Sequence, residues 1–508
     1  MDLVLKIAWR NILRHKGKSL VVGVILFVGA FLLTMGNGFL SGMNSGLSRN
    51  FIMRFSGNLV ICPTNQPGDN VLIGDFGKVP KVLSGYTNIR NLLSRSPDVA
   101  DFTPICRGMA MALSEDGDPA MTMVFGVKFD DYQEMFHTNI RMIEGKPLKP
   151  LERGILVTSN SRRELYESTS YWLKPEAEAL NTNHMTPETR SNLADMNVRT
   201  NIVIMGMDQE GLALDVRVPV KGIFQYSQFG SVWDRVSMMD VATFRECFNY
   251  ITGADAAVVL DKVQKDLLSA SDENLDNLFS DDNVTTAQSV SGGYDVSRLT
   301  ARKKGAVEKG DIDAGEYNMV LVRLKPGIST KKAVNGLNKS FRKLGMGFKA
   351  VSWEIAAKRA AQMAATIRLV LYFFVGILYL VAVIIITNTL TMAAMERTTE
   401  IGMMRAVGAR KRFIQDMFTV ETAILSFFFG GLGVLSGVGL TGILALFKFR
   451  ATNQWLEMLF GGNVFSPLFT VGDIIGIVVS LTIATALSLI YPVVVARRIT
   501  PLEAIARD

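Results

Sequence analysis

Four stretches of this chain run for about 20 residues with no charged side chain in their interior, the length a helix needs to cross the roughly 30 Å hydrocarbon layer of a bilayer. They lie near Leu20–Leu40, Leu369–Thr391, Phe418–Phe447 and Ile474–Val495, with Glu421 and Asp473 only at the ends. A chain of 508 residues with 48% hydrophobic content and a mean hydropathy of +0.24 is too apolar for a purely soluble enzyme. The expected fold class is an α-helical membrane protein with four transmembrane helices and a large mixed α/β extracytoplasmic domain between helices 1 and 2. The first run follows basic residues but exceeds the about 7 to 15 apolar residues of a cleaved signal peptide, so it reads as a retained helix.

Basic residues set the orientation. They gather at Lys6, Arg10, Arg14, Lys16 and Lys18, again at Arg397, Arg405, Arg410, Lys411 and Arg412, and finally at Arg497 and Arg498. These three segments are expected in the cytoplasm. The resulting division is 1–18 cytoplasmic basic amphipathic segment, 19–40 helix 1, 41–366 extracytoplasmic domain with helical stalks, and 367–394 helix 2. There follow 395–417 cytoplasmic loop, 418–447 helix 3, 448–473 short outer loop, 474–496 helix 4 and 497–508 cytoplasmic tail. The "GKS" at Gly17–Ser19 is not a nucleotide loop, because Ile12 stands where the first phosphate-wrapping glycine is required and no strand precedes it. Its charges face lipid phosphates and water.

Past the first run, Leu40, Met43, Leu47, Phe51 and Phe55 keep helical spacing, and Trp353, Ala356, Ala360, Met363 and Ile367 do so ahead of the second. Two amphipathic stalks are expected. Between them, "GNLVICP", "ADFTPICRGMAMAL", "AMTMVFGVKF", "GILVTS", "NIVIMGM", "DVRVPVKGIFQY" and "YNMVLVRLKPG" read as strands, with a helix near Thr330–Leu344. Residues from about Arg163 to Arg199 look like a polar, helical insertion, and about Ser269 to Gly315 like loop or disorder. Cys62, Cys106 and Cys247 fall in this domain; they read as buried small hydrophobes, or at most one bridge plus one thiol.

The residues exclude several chemistries. His15, His137 and His184 are far apart and lack a second ligand at helical spacing, so no metal site is expected. No Gly-x-Ser-x-Gly turn is present. The interiors of the four runs carry no ionisable group of the kind that ion-coupled transport places at membrane depth. Any work must be driven from elsewhere. The informative segment is "ERTTEIGMMRAVGARKRFIQDM", Glu396–Met417: Glu396 and Glu400 precede Arg405, the order that suits a helix dipole, and Gly408 is placed for a left-handed cap. Ile401, Met404 and Val407 can share one side, with Met403 at its edge. On residues alone this is either a helix for another protein's groove or a basic loop on the headgroups.

The Glu-Arg-Thr-x-Glu-Ile-Gly-x-x-Arg-Ala-x-Gly-Ala pattern at Glu396–Ala409 resembles the loop of the FtsX, MacB and LolC/LolE permease family of ABC transporters. "AWRNILRHKGKS", "RRITPLEAIAR", the Gly-rich "GGLGVLSGVGLTG" and the order of one helix, an outer domain and three helices are similar too. The resemblance implies a permease of the mechanotransmission type, not itself an enzyme, whose coupling helix comprises Glu396, Glu400, Ile401, Gly402, Met403, Met404, Arg405, Ala406, Val407, Gly408 and Ala409. It implies a cytoplasmic ABC ATPase dimer as partner, with ATP and Mg bound there and no cofactor on this chain.

Further implied partners are a second permease copy or a paralogous permease, membrane lipids, a lipoprotein or amphiphilic substrate and a periplasmic carrier or adaptor, with no nucleic acid. Within the family the chain looks nearest to LolC/LolE-like permeases, which extract lipoproteins from the cytoplasmic membrane; the alternatives are MacB-like export of peptides or amphiphiles and FtsX-like signalling to a cell-wall hydrolase. "FKAVSWEIAAKRA" is similar to the LolC/LolE branch. The resemblance places substrate near Met35, Phe39, Leu40, Met43, Ile367 and Leu371, for which plain helix packing is the competing reading. Gly433 and Gly437 would allow close helix packing or simple flexibility.

Overall fold

The computed structural model describes residues 2–252 and 311–498, apart from 15, 69, 75–78, 114–118, 177, 192, 194–195, 209, 468 and 470. Most of the segment expected as loop at Ser269–Gly315, and the tail from 499, lie outside the described residues. The chain forms two units, Met1–Asn50 with Ala360–Asp508, and Phe51–Arg359.

The first unit is helical. Four helices are long and apolar enough to cross a membrane. The first runs Lys16–Phe51 and the second Lys358–Glu396. The third is assembled from Lys411–Leu425, a π-helical turn at Ser426–Gly430 and Gly431–Leu446, and the fourth is Val471–Arg498. Short helices Asp2–Arg14 and Gln454–Phe460 accompany them. Two buried threonines inside the spans bond their own helix: Thr34 donates to Ala30 O at 2.7 Å and Thr441 to Gly437 O at 2.6 Å. Ser426 and Thr485 share a buried hydrogen bond of 2.8 Å between the third and fourth spans.

Glycine decides how closely the first and third spans approach. A Cβ on Gly433 would stand 2.4 Å from Phe27 O, and one on Gly437 would stand 2.8 Å from Thr34 Cβ. Both positions therefore require hydrogen. Gly439, two residues on, meets nothing within 4 Å.

The second unit is built on a ten-stranded mixed sheet. Its strands are β1 (Leu59–Pro63), β2 (Val99–Leu113), β3 (Pro119–Val127), β4 (Ile140–Gly145) and β5 (Ile155–Thr158), with β6 (Tyr171–Leu173) and β7 (Asn197–Arg199) forming a separate parallel pair. The rest are β8 (Asn201–Met207), β9 (Ala213–Tyr226), β10 (Val236–Asp240), β11 (Met319–Leu324) and β12 (Phe348–Ser352). The order is β12-β1-β11-β2-β3-β10-β5-β9-β4, with β8 bridging β2 and β9. Helices Tyr86–Ser94, Val241–Phe248 and Thr330–Lys343 bury Ile89, Phe244 and Phe341 in the core over one sheet face. A second, aromatic core joins Phe51 to Trp353 at 5.2 Å and Phe55 to Trp233 at 4.7 Å between ring centres.

All seven stretches read as strands lie in the large sheet, whereas β4, β10 and β12, each of five or six residues, carry too short an alternation to stand out. The 163–199 insertion corrects its helical expectation. Among its described residues it holds the end of the helix Ser159–Thr169, one turn at Pro187–Ser191 and a 3-10 turn, beside the β6–β7 pair. The β-forming Tyr-Trp-Leu run outweighs the polar surroundings, and Arg162 ties it down, 2.8 Å from Glu144 and 4.3 Å above the Trp172 ring. The second stalk is likewise not one helix: Trp353–Ala356 ends at Ala357, with ψ 42°, and a new helix starts at Lys358.

Cys62, Cys106 and Cys247 are all buried thiols. Burial pushes the Cys247 thiol up to about 12. Alkylation of Cys247 by iodoacetamide at pH 8 should therefore be negligible in the folded chain and rapid in urea; rapid native labelling would refute its burial. Gly437→Val should lower stability by about 1–3 kcal/mol through overpacking, while Gly439→Ala should not, as read by thermal unfolding in detergent.

Candidate functional site

The helix of the second span stops at Glu396 because Arg397 leaves helical geometry, with ψ 21°, and a separate short helix follows at Thr398–Ala406. Its far end is a complete Schellman closure: Gly408 N donates to Arg405 O at 3.1 Å and Ala409 N to Met404 O at 2.9 Å. Gly408 sits at φ +100°, where a side chain would be strained. Acidic Glu400 near the start and Arg405 at the end both complement the helix dipole. Arg14 approaches Glu400 at 3.9 Å in an exposed pair that contributes little.

The helix has two unlike faces. Ile401 is 1% exposed and packs with Ala394, Ile414, Met417, Phe418, Val493 and Ala496, while Gly402 and Thr398 are also buried and Met404 is half-buried against the same cluster. Outward, Met403 is 58% and Val407 91% exposed, with Ala406 between them. This corrects the expected face: Ile401 and Met404 do not share a side with Val407 but stabilise the loop from within. The reason is the 3.6-residue period, which groups 401 with 404 and 405 on one side and 403 with 406 and 407 on the other.

A buried ion pair fixes that orientation. Arg397 Nη1 donates to both Glu421 oxygens at 2.9 Å, with side-chain exposures of 6% and 9%. Glu421 belongs to the third span, so the break between helices is latched to the next transmembrane segment. Sequence reasoning set Glu421 aside as a charge at the end of an apolar run. The available signal was an isolated carboxylate in such a run, which at that depth calls for a partner.

The residues expected near substrate do not act as one group. Leu40 and Met43 are buried, which removes them from any acyl-facing surface in this conformation, and the Phe39 ring lies 5.2 Å from Phe465. Met35, Ile367 and Leu371 are half-buried. Gly461, in the segment before the fourth span, explains why Met43 is covered: a Cβ there would stand 2.5 Å from Met43 O and 2.9 Å from Gly46 Cα. Among the described residues no group of three or more His, Cys, Asp or Glu could hold a metal ion.

Four helices long and apolar enough to cross a membrane thus carry, between the second and third, a capped helix with one packed and one open face. Residues 372–501 match the family model described as the FtsX-like permease C-terminal. A Methanocaldococcus jannaschii protein named as an ABC transporter permease is 29% identical over 171 residues, 32% of this chain and 42% of that protein. The macrolide export ATP-binding/permease protein MacB of Burkholderia pseudomallei is 25% identical over 264 residues, 50% of this chain and 38% of that protein. The chain thus spans well under two thirds of the length of these relatives. A crystal structure of the periplasmic region of MacB from Actinobacillus actinomycetemcomitans aligns over 62% of this chain and 96% of that one, with a TM-score of 0.29 and 8% identity, too low to carry an argument.

Removing one member of the Arg397–Glu421 pair leaves a buried charge, which typically costs about 3–5 kcal/mol, whereas replacing both with apolar residues is often near neutral. Glu421→Gln should therefore speed hydrogen exchange across 398–406, and the double variant Arg397→Met/Glu421→Leu should restore protection. Unchanged exchange in Glu421→Gln would show that the pair does not hold the helix.

Proposed function

We propose that this chain is the permease subunit of an ABC transporter and that the Thr398–Ala406 helix docks onto a cytoplasmic ATPase dimer through Met403, Ala406 and Val407. The observation that carries the reading is Val407: an apolar side chain 91% exposed at the capped end of a helix whose opposite face is packed. A bland surface loop has no need of a buried ion pair and a Schellman closure to aim it. The basic residues gathered at Lys6–Lys18, at Arg397–Arg412 and at Arg497–Arg498 support a cytoplasmic position for this helix and for both termini.

Energy enters from the partner, which binds ATP and Mg, and leaves as motion. The loop helix is fastened to the second span by chain continuity and to the third by Arg397–Glu421. Gly433 and Gly437 press the third span against the first. A push on the loop therefore reaches three spans through contacts that have little room to yield. The first and second spans lead in sequence to the sheet domain, which is the part that would move in the periplasm.

For substrate, the sequence likeness around "FKAVSWEIAAKRA" supports extraction of lipoproteins from the cytoplasmic membrane. The relatives named as macrolide export or probable export ATP-binding/permease proteins support an export reading equally. Met35, Phe39, Ile367 and Leu371 are the residues of the expected set that stay partly open for either cargo.

Val407→Asp and Ala406→Arg put charge into the proposed apolar contact and should weaken ATPase association by about 1–3 kcal/mol, near tenfold or more. Copurification with the ATPase and ATP turnover in nanodiscs are the readouts. Ile401→Asp is the contrasting variant: it should destabilise the chain itself. Full ATPase retention and turnover in both surface variants would remove the docking assignment, and mass spectrometry of the retained cargo would separate lipoprotein extraction from export.

A further inference from the structure

In the second unit, the sheet face opposite the helical core has an unusual composition. Met109 on β2 lies directly across from Met123 on β3, and Met111 lies across from Met121 on β3 and from Met205 on β8. Directly opposed residues share a face, so these five form one patch with Met207, two residues beyond Met205. The other face of the same strands supplies Ala110, Ala112, Val124 and Ile204 to the core. The methionines are therefore not needed to fill it.

The patch leads to a cavity of about 220 Å³. It lies where β2 changes neighbour: β2 pairs with β11 as far as Ile105 and with β8 from Ala110, and Gly108 and Met109 line the opening in between. The Phe248 and Tyr250 rings close its far side, and Phe248 reaches it because Gly108 has no side chain, a Cβ there falling 2.2 Å from the ring. Met121 and Met207, 53% and 46% exposed, stand at its mouth. Among the described residues, the single formally charged one in the lining is Arg107, which is 2% exposed and donates to Ile73 O at 3.0 Å.

We propose that this cavity is a binding site for a small amphiphile, with an alkyl or aryl group among the methionines and an anionic or neutral head toward Arg107. Its volume exceeds the roughly 150 Å³ apolar cavity that accepts benzene in another protein, so it admits a ring or a short chain. Thioether side chains are unbranched and polarizable, which lets one surface fit ligands of different shape. The Arg107 guanidinium, held by Ile73 O, adds positive charge beside the cavity, which favours a negative head over a cationic one because charges interact more strongly where water is excluded. The site stands on the second unit alone and does not depend on the ATPase assignment.

The test is photo-crosslinking of the full chain in nanodiscs, with adducts mapped by mass spectrometry. Three diazirine probes are compared: decanoate, its decyltrimethylammonium counterpart, and phosphatidylglycerol labelled on an acyl chain. Decanoate should label peptides containing 105–113, 205–213 or 248–250, and the cationic probe should label them about tenfold less. Acyl-chain labelling of the same peptides would also support the site and identify a bilayer lipid as its source. Met109→Trp, which fills the cavity, and Met207→Glu, at the exposed mouth, should each reduce decanoate labelling about tenfold without changing the unfolding temperature. Equal labelling by the cationic probe, labelling confined to the membrane spans, or undiminished labelling in Met207→Glu with its fold intact would overturn the proposal.

Discussion

The buried pair between Arg397 and Glu421 is the contact on which the geometry of the second-to-third span connection depends. A lone carboxylate at the edge of an apolar helix and a lone guanidinium at a helix break would each be costly in a poorly hydrated place. Together they neutralise one another, and they can do so only if the chain turns at Arg397 so that Ile401 faces the cluster around Ile414 and Val493. That turn leaves Met403 and Val407 outward. One electrostatic requirement thus selects which face of a nine-residue helix is presented.

Packing among the spans follows a second constraint. Between apolar helices in lipid there is little hydrophobic driving force, so close backbone approach has to supply the attraction. Gly433 and Gly437 provide it against the first span, and Gly461 against the stretch around Gly46. The second span behaves differently. Leu369, Phe373, Phe374 and Leu380 are all more than half exposed, and a helix apolar on every side belongs in lipid or against another helix.

Much of this was legible in the residues. Charge-free length gave the four spans, alternation gave seven strands of the large sheet, and the Gly408 spacing located the helix end. Other features were hidden for identifiable reasons. The strands β10 and β12 are too short for alternation to rise above their surroundings. The second stalk breaks at Ala357, a residue with no helix-breaking signal. Met43 kept helical spacing with Leu40 but is covered by a glycine turn more than 400 residues away in the chain.

By itself the sequence determined the local and the periodic: which segments are long and apolar enough for helices that cross a membrane, where basic residues gather, and that a short capped helix joins the second and third of them. These follow from interactions within a few turns of one chain segment. Only the tertiary structure decided which side of that helix is open, because the choice rests on a partner 24 residues away, Glu421, whose charge is meaningless until it is buried beside Arg397. It also decided that six methionines from three strands meet on one face, since register between strands is set by the whole sheet and not by any strand alone.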